Sequence, residues 1–252
     1  LTLDTNSRIF PSTRGLGTGN TAFGKFALDN DEAGSNYNVA IGETAMGAGT
    51  LNDATYNVAI GYTALESITT GDGNVVIGAD AGDAITTTSN TVLIGNNAGG
   101  AINSADANGT VAIGKDALQD LTSGQNNTAV GYRALADITT GDYNTAVGYG
   151  ALDAITTGLD NTALGWGAGG STSNTTGANN TFLGGSAGNQ IINRNDNTFV
   201  GYRAGATNRA GTQSTIIGSQ AGYDPKGAVY SGSYNLFAGY GAGHYTGGDA
   251  VV

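Results

Sequence analysis

The chain has no cysteine, two prolines, one methionine, one tryptophan and one histidine in 252 residues. Without cysteine there is no disulfide framework, no thiol nucleophile and no thiolate metal site. Charged residues are also scarce, at 12%, so Asn, Thr, Ser and Gly must cover most of the surface. Their balance, a formal net charge of −11, serves solubility and argues against nucleic-acid or anionic-membrane partners, which need a basic patch. No run of about 18 apolar residues exists, which excludes a membrane-spanning helix and membrane insertion by one. The stretch from Leu1 to Phe10 is too polar for a signal-peptide core, and Leu1 is not an initiator methionine. The chain therefore reads as a mature product or an excised piece from which a signal could have been lost.

What the sequence has instead is glycine, at 44 positions. It follows no G-X-Y period, which excludes collagen, and it accompanies 39% apolar residues, which argues against a disordered chain. Asn144-Thr145-Ala146-Val147-Gly148-Tyr149-Gly150-Ala151-Leu152 is one copy of a word that recurs throughout. Aligned on its glycine, the copies put Gly24, Gly42, Gly61, Gly78, Gly95, Gly114, Gly131, Gly148, Gly165, Gly184, Gly201, Gly218 and Gly239 in one column, mostly 17 or 19 residues apart. A near-constant step of this size predicts an all-β solenoid of about 13 coils, each burying its apolar side chains only against the next. At the spacing of hydrogen-bonded strands, the coils would make a rod on the order of 60 Å long. Residues 20–252 form this repeat domain, its last coil near 235–243. Residues 1–19, with the alternating start Leu1-Thr2-Leu3-Asp4, form a lead-in strand or cap over the first coil's edge.

The residues leading to each glycine are strand-like, and side chains alternate between two faces of a strand. Both faces are apolar: Phe23, Ile41, Ile60 and Val147 stand one residue before the glycine, Ala40, Ala59 and Ala146 two before it. One column fills the roll, and the other needs a partner surface, so the expected state is self-association. The sequence does not say which column faces the partner; the candidate interface residues are taken from the second, namely Ala129, Ala146, Ala163, Phe182, Phe199, Ile216 and Phe237. Its bulk rises toward the C-terminal end, which suggests a wider contact there. Three residues after the glycine every copy has alanine, as a tight inner corner requires. The next residue changes from Leu or Met in early coils to glycine in most later ones, implying a corner that changes shape. A second leg, clearest as Asp137-Ile138-Thr139-Thr140-Gly141, is expected to be a second short strand.

The segments Asn38-Val39-Ala40-Ile41-Gly42, Asn57-Val58-Ala59-Ile60-Gly61 and Thr110-Val111-Ala112-Ile113-Gly114, each followed at three residues by alanine, resemble head repeats of YadA-like trimeric autotransporter adhesins. The Asn-Thr-Ala-Val-Gly-Tyr-x-Ala-Leu pattern also resembles repeats of bacteriophage tail-fibre and tail-spike proteins. The resemblance implies a left-handed parallel β-roll, a homotrimer, and attachment to a cell-surface receptor or glycan from a virion or the extracellular surface. The repeat is longer than in YadA-like heads, which implies longer turns, and neither a coiled-coil stalk nor an anchor barrel is present.

Several columns could carry chemistry. Asn127, Asn144, Asn161, Asn180 and Asn197 stand four before the glycine, where stacked amides form a structural ladder. Tyr62, Tyr132, Tyr149, Trp166, Tyr202 and Tyr240 follow the glycine; they read as a glycan-binding strip or as packing at a trimer seam. Acids after the alanine, among them Glu66, Asp83, Asp137 and Asp153, look like a solvated edge rather than one tuned glycosidase pair. No catalytic residue is therefore assigned, although a polysaccharide-degrading spike is the rival reading. Threonine pairs such as Thr69-Thr70 and Thr139-Thr140 raise a second alternative, an ice-binding solenoid. The hexapeptide repeat of acyltransferases, which implies a catalytic histidine, has only His244 to offer. Calcium-binding Gly-Gly-x-Gly-x-Asp repeats are missing, so neither metal nor cofactor is implied.

Overall fold

The computed structural model describes residues 9–10, 17–29, 34–170, 176–191, 193–206, 211–223 and 232–243. Leu1 to Asp4 and His244 lie outside these. The chain divides into two compact units, Leu1–Asn127 and Thr128–Val252.

The first unit holds β1 (Ile9–Phe10), β2 (Thr21–Phe23), β3 (Val39–Ile41), β4 (Val58–Ile60), β5 (Val75–Ile77), β6 (Val92–Ile94) and β7 (Val111–Ile113). Strands β2 to β7 pair in parallel and in strict register, Ala22 opposite Ala40, Ala40 opposite Ala59, Ala59 opposite Val76. The short strand β1 runs antiparallel along β2, with Phe10 opposite Ala22, and so occupies the edge that the first coil would otherwise expose. The second unit holds β8 (Thr128–Val130), β9 (Thr145–Val147), β10 (Thr162–Leu164), β11 (Thr181–Leu183), β12 (Thr198–Val200), β13 (Thr215–Ile217) and β14 (Leu236–Ala238), again parallel and in register. The protein is thus an all-β solenoid with one three-residue strand per coil. Among the described residues the only helical element is a 3₁₀ turn, Ala105–Ala107, capped by Ser104. No helix is long and apolar enough to cross a membrane among them.

The second leg is not a strand. It takes bends and makes scattered backbone bonds between coils, such as Thr69 N–H to Thr86 O at 2.8 Å and Thr139 N–H to Thr156 O at 2.8 Å. In the coil of Gly95 this irregular leg takes up the extra length as the 3₁₀ turn.

The glycine column has a steric cause. Gly148 has φ of +135°, and a Cβ there would sit 2.5 Å from the carbonyl oxygen of Gly165 in the next coil. The same collision meets Gly42, 2.1 Å from Gly61 O. No L side chain satisfies both conditions, so glycine recurs from coil to coil, and at the last, Gly239, only the positive φ of +120° remains.

The turn after it alternates in handedness. Residues two and four after the glycine are left-handed, as in Arg133 (φ +53°) and Leu135 (+51°), and so is the residue five before it, as in Tyr143 (+58°). A left-handed L residue costs roughly 1–2 kcal/mol. What offsets it is a bond to a neighbouring coil, as where Thr63 N–H donates to Glu43 O at 3.0 Å and Leu65 N–H donates to Ala81 O at 3.1 Å.

The core lies inside the roll. It consists of the strand's middle residue, the invariant alanine, the residue after that alanine, and the second-leg Ile or Leu (Ile68, Ile85, Ile102, Leu121 and Ile138, all fully buried).

Candidate functional site

The polar column is the amide ladder. Asn144 Oδ1 accepts from Asn161 N–H at 3.1 Å and from Asn161 Nδ2 at 3.0 Å. Asn161 Oδ1 accepts the equivalent pair from Asn180, and Asn180 Oδ1 accepts the pair from Asn197. The Nδ2 groups of Asn144, Asn161 and Asn180 also donate across the roll to the far turn, as Asn161 does to Gly177 O at 2.8 Å. These asparagines, with Asn127, are buried, and their groups hold strand to turn. In the first unit the ladder passes from Asn74 to the hydroxyl of Thr91 at 2.7 Å, and the Thr110 hydroxyl is buried without a partner.

The column expected to meet a partner is instead the inside wall. Ala129, Ala146, Phe199 and Ile216 are fully buried within the chain, Ala163 and Phe182 are 1% exposed, and Phe237 is half-buried. The strand's middle side chain points into its own roll, so no partner can reach this column. Its growing bulk does not widen a contact either. It is matched inside the roll by glycine at the position after the alanine, with the backbone left-handed in both cases (Leu152 φ +52°, Gly205 φ +60°). The corner keeps its shape and changes only its filling.

The outward face therefore belongs to the residues one and three before the glycine. In the first unit these are Val39 and Ile41, Val58 and Ile60, Val75 and Ile77, Val92 and Ile94, Val111 and Ile113, all half-buried or exposed. Ile41, Ile77 and Ile113 are 36–37% exposed. In the second unit threonine replaces valine, giving Thr128 with Val130, Thr162 with Leu164 and Thr181 with Leu183.

The aromatics after the glycine are all on the surface, from Tyr132 at 39% exposed to Tyr240 at 81%. Tyr132 and Tyr149 stack with centroids 5.3 Å apart. Trp166 follows them in the next coil and Tyr202 stands beyond the bare Gly185, while Tyr62 is alone on its unit. A second aromatic column escaped the sequence reading: Tyr37 and Tyr56, five before the glycine, stack at 5.2 Å with an interplanar angle of 11°. So did Arg203, whose guanidinium lies 5.3 Å from the Tyr202 ring and 5.4 Å from the Tyr223 ring. The signal for the first was the alternation of Gly, Asn, Asp and Tyr at that position, a left-handed signature.

On the acidic edge, burial pushes the Asp153 carboxyl above the usual aspartate range and the charge of Asp137 adds to this, while Arg133 opposes it. Arg133 itself bonds Asp137 at 3.4 Å. Burial likewise raises Asp83. Of the second-leg threonines, Thr69 and Thr139 use their hydroxyls within the chain, Thr69 Oγ1 donating to Thr86 O at 2.9 Å and Thr139 Oγ1 to Thr156 O at 3.0 Å, while Thr70 and Thr140 are exposed. Among the described residues no group of three or more His, Cys, Asp or Glu side chains could hold a metal ion. Comparison with family models, with curated proteins and with solved structures gave no match for the chain.

Proposed function

We propose that the chain is a non-enzymatic structural and adhesive segment of a virion tail fibre or an extracellular surface fibre. It assembles as a homotrimer and contributes to attachment to a receptor or glycan. The observation that carries this reading is the outward Val and Ile face of β3 to β7. Parallel sheets occur almost only with both faces covered, and here the chain covers one. The open face repeats at every coil step, and the partner that matches such a period along its length is another copy of the same repeat. Closed symmetry sets the identical faces around one axis, and the number three follows from the resemblance to trimeric adhesin head repeats.

Light scattering tests it. The expected mass is three times the 25.0 kDa of one chain, and the double variant Ile77→Asp/Ile113→Asp should run as a monomer. A wild-type monomer would sink the assembly and with it most of the fibre reading. The second reading, a polysaccharide-degrading spike, draws on the raised Asp153 beside Asp137; hydrolysis of a polysaccharide that Asp153→Asn abolishes would replace the first.

A further inference from the structure

One stretch of the aromatic column differs from the rest. Ser186 N–H donates to Trp166 O at 2.7 Å, Arg203 N–H to Gly185 O at 3.0 Å, and Gln220 N–H to Tyr202 O at 2.8 Å. These bonds put Trp166, Gly185 and Tyr202 on three successive coils, so the two aromatics stand about 10 Å apart along the stack. Gly185 adds no side chain between them. A Cβ there would lie 3.6 Å from Tyr202 Cδ2, so the tyrosine ring borders bare backbone. Trp166 is 57% exposed, and among the described residues no ring stacks on it, unlike Tyr132 and Tyr149, which spend their faces on each other.

Next to Tyr202, toward Tyr223 of the following coil, stands a cation with no anion among the described residues. Lys25, Lys115 and Arg133 each lie within 4 Å of a carboxylate. Arg203 does not among the described residues; it is held between the rings of Tyr202 and Tyr223, with Nη1 3.5 Å from Tyr223 Oη. In a chain with 20 acids and nine Lys and Arg, a guanidinium kept from every described carboxylate and oriented by two rings is positioned for an outside anion.

We infer that Trp166, Gly185, Tyr202, Arg203 and Tyr223 form a subsite for a pyranose bearing a carboxylate. The sugar's C–H face packs on the open indole and the Tyr202 ring, and its carboxylate accepts two N–H bonds from the guanidinium fork. The net charge of −11 repels a polyanion, which selects an acidic sugar at the end of an otherwise neutral glycan. This inference rests on the attachment reading and names its ligand class.

Trp166 is the chain's single tryptophan, so its fluorescence reports on the site alone. Titration of the full chain with methyl glucuronide should change the emission saturably, at an affinity about tenfold above that of methyl glucoside, the difference expected of one charge-assisted pair. Arg203→Gln should bring the glucuronide down to the glucoside value without altering the melting curve, and Tyr202→Ala should weaken both. Equal affinities for the two sugars, no saturable response to either, or full glucuronide affinity in Arg203→Gln would each overturn the subsite. Adhesion to glycan-coated surfaces, measured alongside, separates the two ideas. If the chain adheres but does not bind glucuronide, the subsite falls and attachment stands; glucuronide binding without any adhesion leaves the subsite and removes attachment.

Discussion

The coil of Gly131 and the coil of Gly201 share a backbone and fill it from opposite walls. In the first, the strand contributes Ala129 and the corner Leu135; in the second, Phe199 and Gly205 hold the same two places. The corners are equally left-handed (φ +51° and +60°). They make the same bond to the next coil, Leu135 N–H to Ala151 O at 3.0 Å and Gly205 N–H to Ala221 O at 2.9 Å. Only the volume has moved. A Cβ at 205 would lie 2.5 Å from Phe199 Cε2, and one at 188 would lie 2.4 Å from Phe182 Cε1. The coil of Gly165 is the changeover. Both Ala163 and Gly169 are small there, and the space is taken by Leu152 and Phe182 from the flanking coils, each about as close to a Cβ at 169 (2.5 and 2.6 Å). Two positions six residues apart thus behave as one volume, which a close-packed interior requires.

That equivalence is open to a double-mutant cycle read by urea unfolding. Phe199→Ala alone should cost about 3–5 kcal/mol, because it leaves a cavity that Gly205 cannot fill. Gly205→Leu alone should cost about 1–3 kcal/mol by overpacking against the phenyl ring. The double variant rebuilds the Ala and Leu filling of the Gly131 coil and should recover most of both losses. Simple additivity would break the comparison and make the two positions independent. The recovery should stop short of complete, since Phe199 also packs on Phe182, with ring centroids 5.7 Å apart.

Much of this was legible beforehand, because a solenoid states each constraint once per coil. The glycine column, the alanine corner and the asparagine ladder were each readable as identities at a fixed position. Which apolar face lies inside was not. Alternation separates Val39 and Ile41 from Ala40 but does not choose between them, and the larger side chains are the ones that face out. The clue was the pairing of Phe182 with Gly188 and Ala146 with Leu152, a trade of volume that makes sense only if both point into one space. The Trp166 opening was less accessible still. Trp166, Arg203 and Tyr223 occupy three different places in the repeat, and only the register of successive coils relates them to one another.

The polar column offers a milder version of the same comparison. In the second unit amide follows amide from Asn144 to Asn197, whereas in the first the run ends at Thr91 and Thr110. Asn161→Ala should therefore be costly, about 2–4 kcal/mol, since it strands the Asn180 N–H and Gly177 O that Asn161 now satisfies. Thr110→Asn should do the reverse on a smaller scale. It replaces a buried hydroxyl lacking any partner with an amide of the kind that neighbouring coils accommodate, and it should stabilise by about 0.5–1.5 kcal/mol in the urea midpoint. A destabilised Thr110→Asn would mean that the first unit's coils hold this column too tightly for the ladder to extend.

The smallest effect concerns the acidic edge, where Asp153 in the second unit stands against Asp83 in the first. Both carboxyls are raised by burial, but the next influence on Asp153 is the charge of Asp137, whereas on Asp83 it is a favourable bond from the Ala84 amide. A raised folded value means that the folded state holds the proton more tightly than the unfolded one. Stability therefore falls as pH rises from the ordinary 3.8 through the folded value, and above that the penalty is constant. Asp153→Asn removes the penalty, so its thermal midpoint should exceed that of the wild type at pH 7, and the gap should close as the pH drops below the ordinary aspartate range. Asp83→Asn should show the same sign with a smaller gap. Added salt discriminates further, because it screens the Asp137 contribution and leaves burial untouched. The advantage of Asp153→Asn should shrink in salt more than that of Asp83→Asn, where the like charge of Asp80 ranks below the Ala84 amide bond. An advantage that grows toward low pH would contradict both assignments, for it would require carboxyls that the fold stabilises in their ionised form.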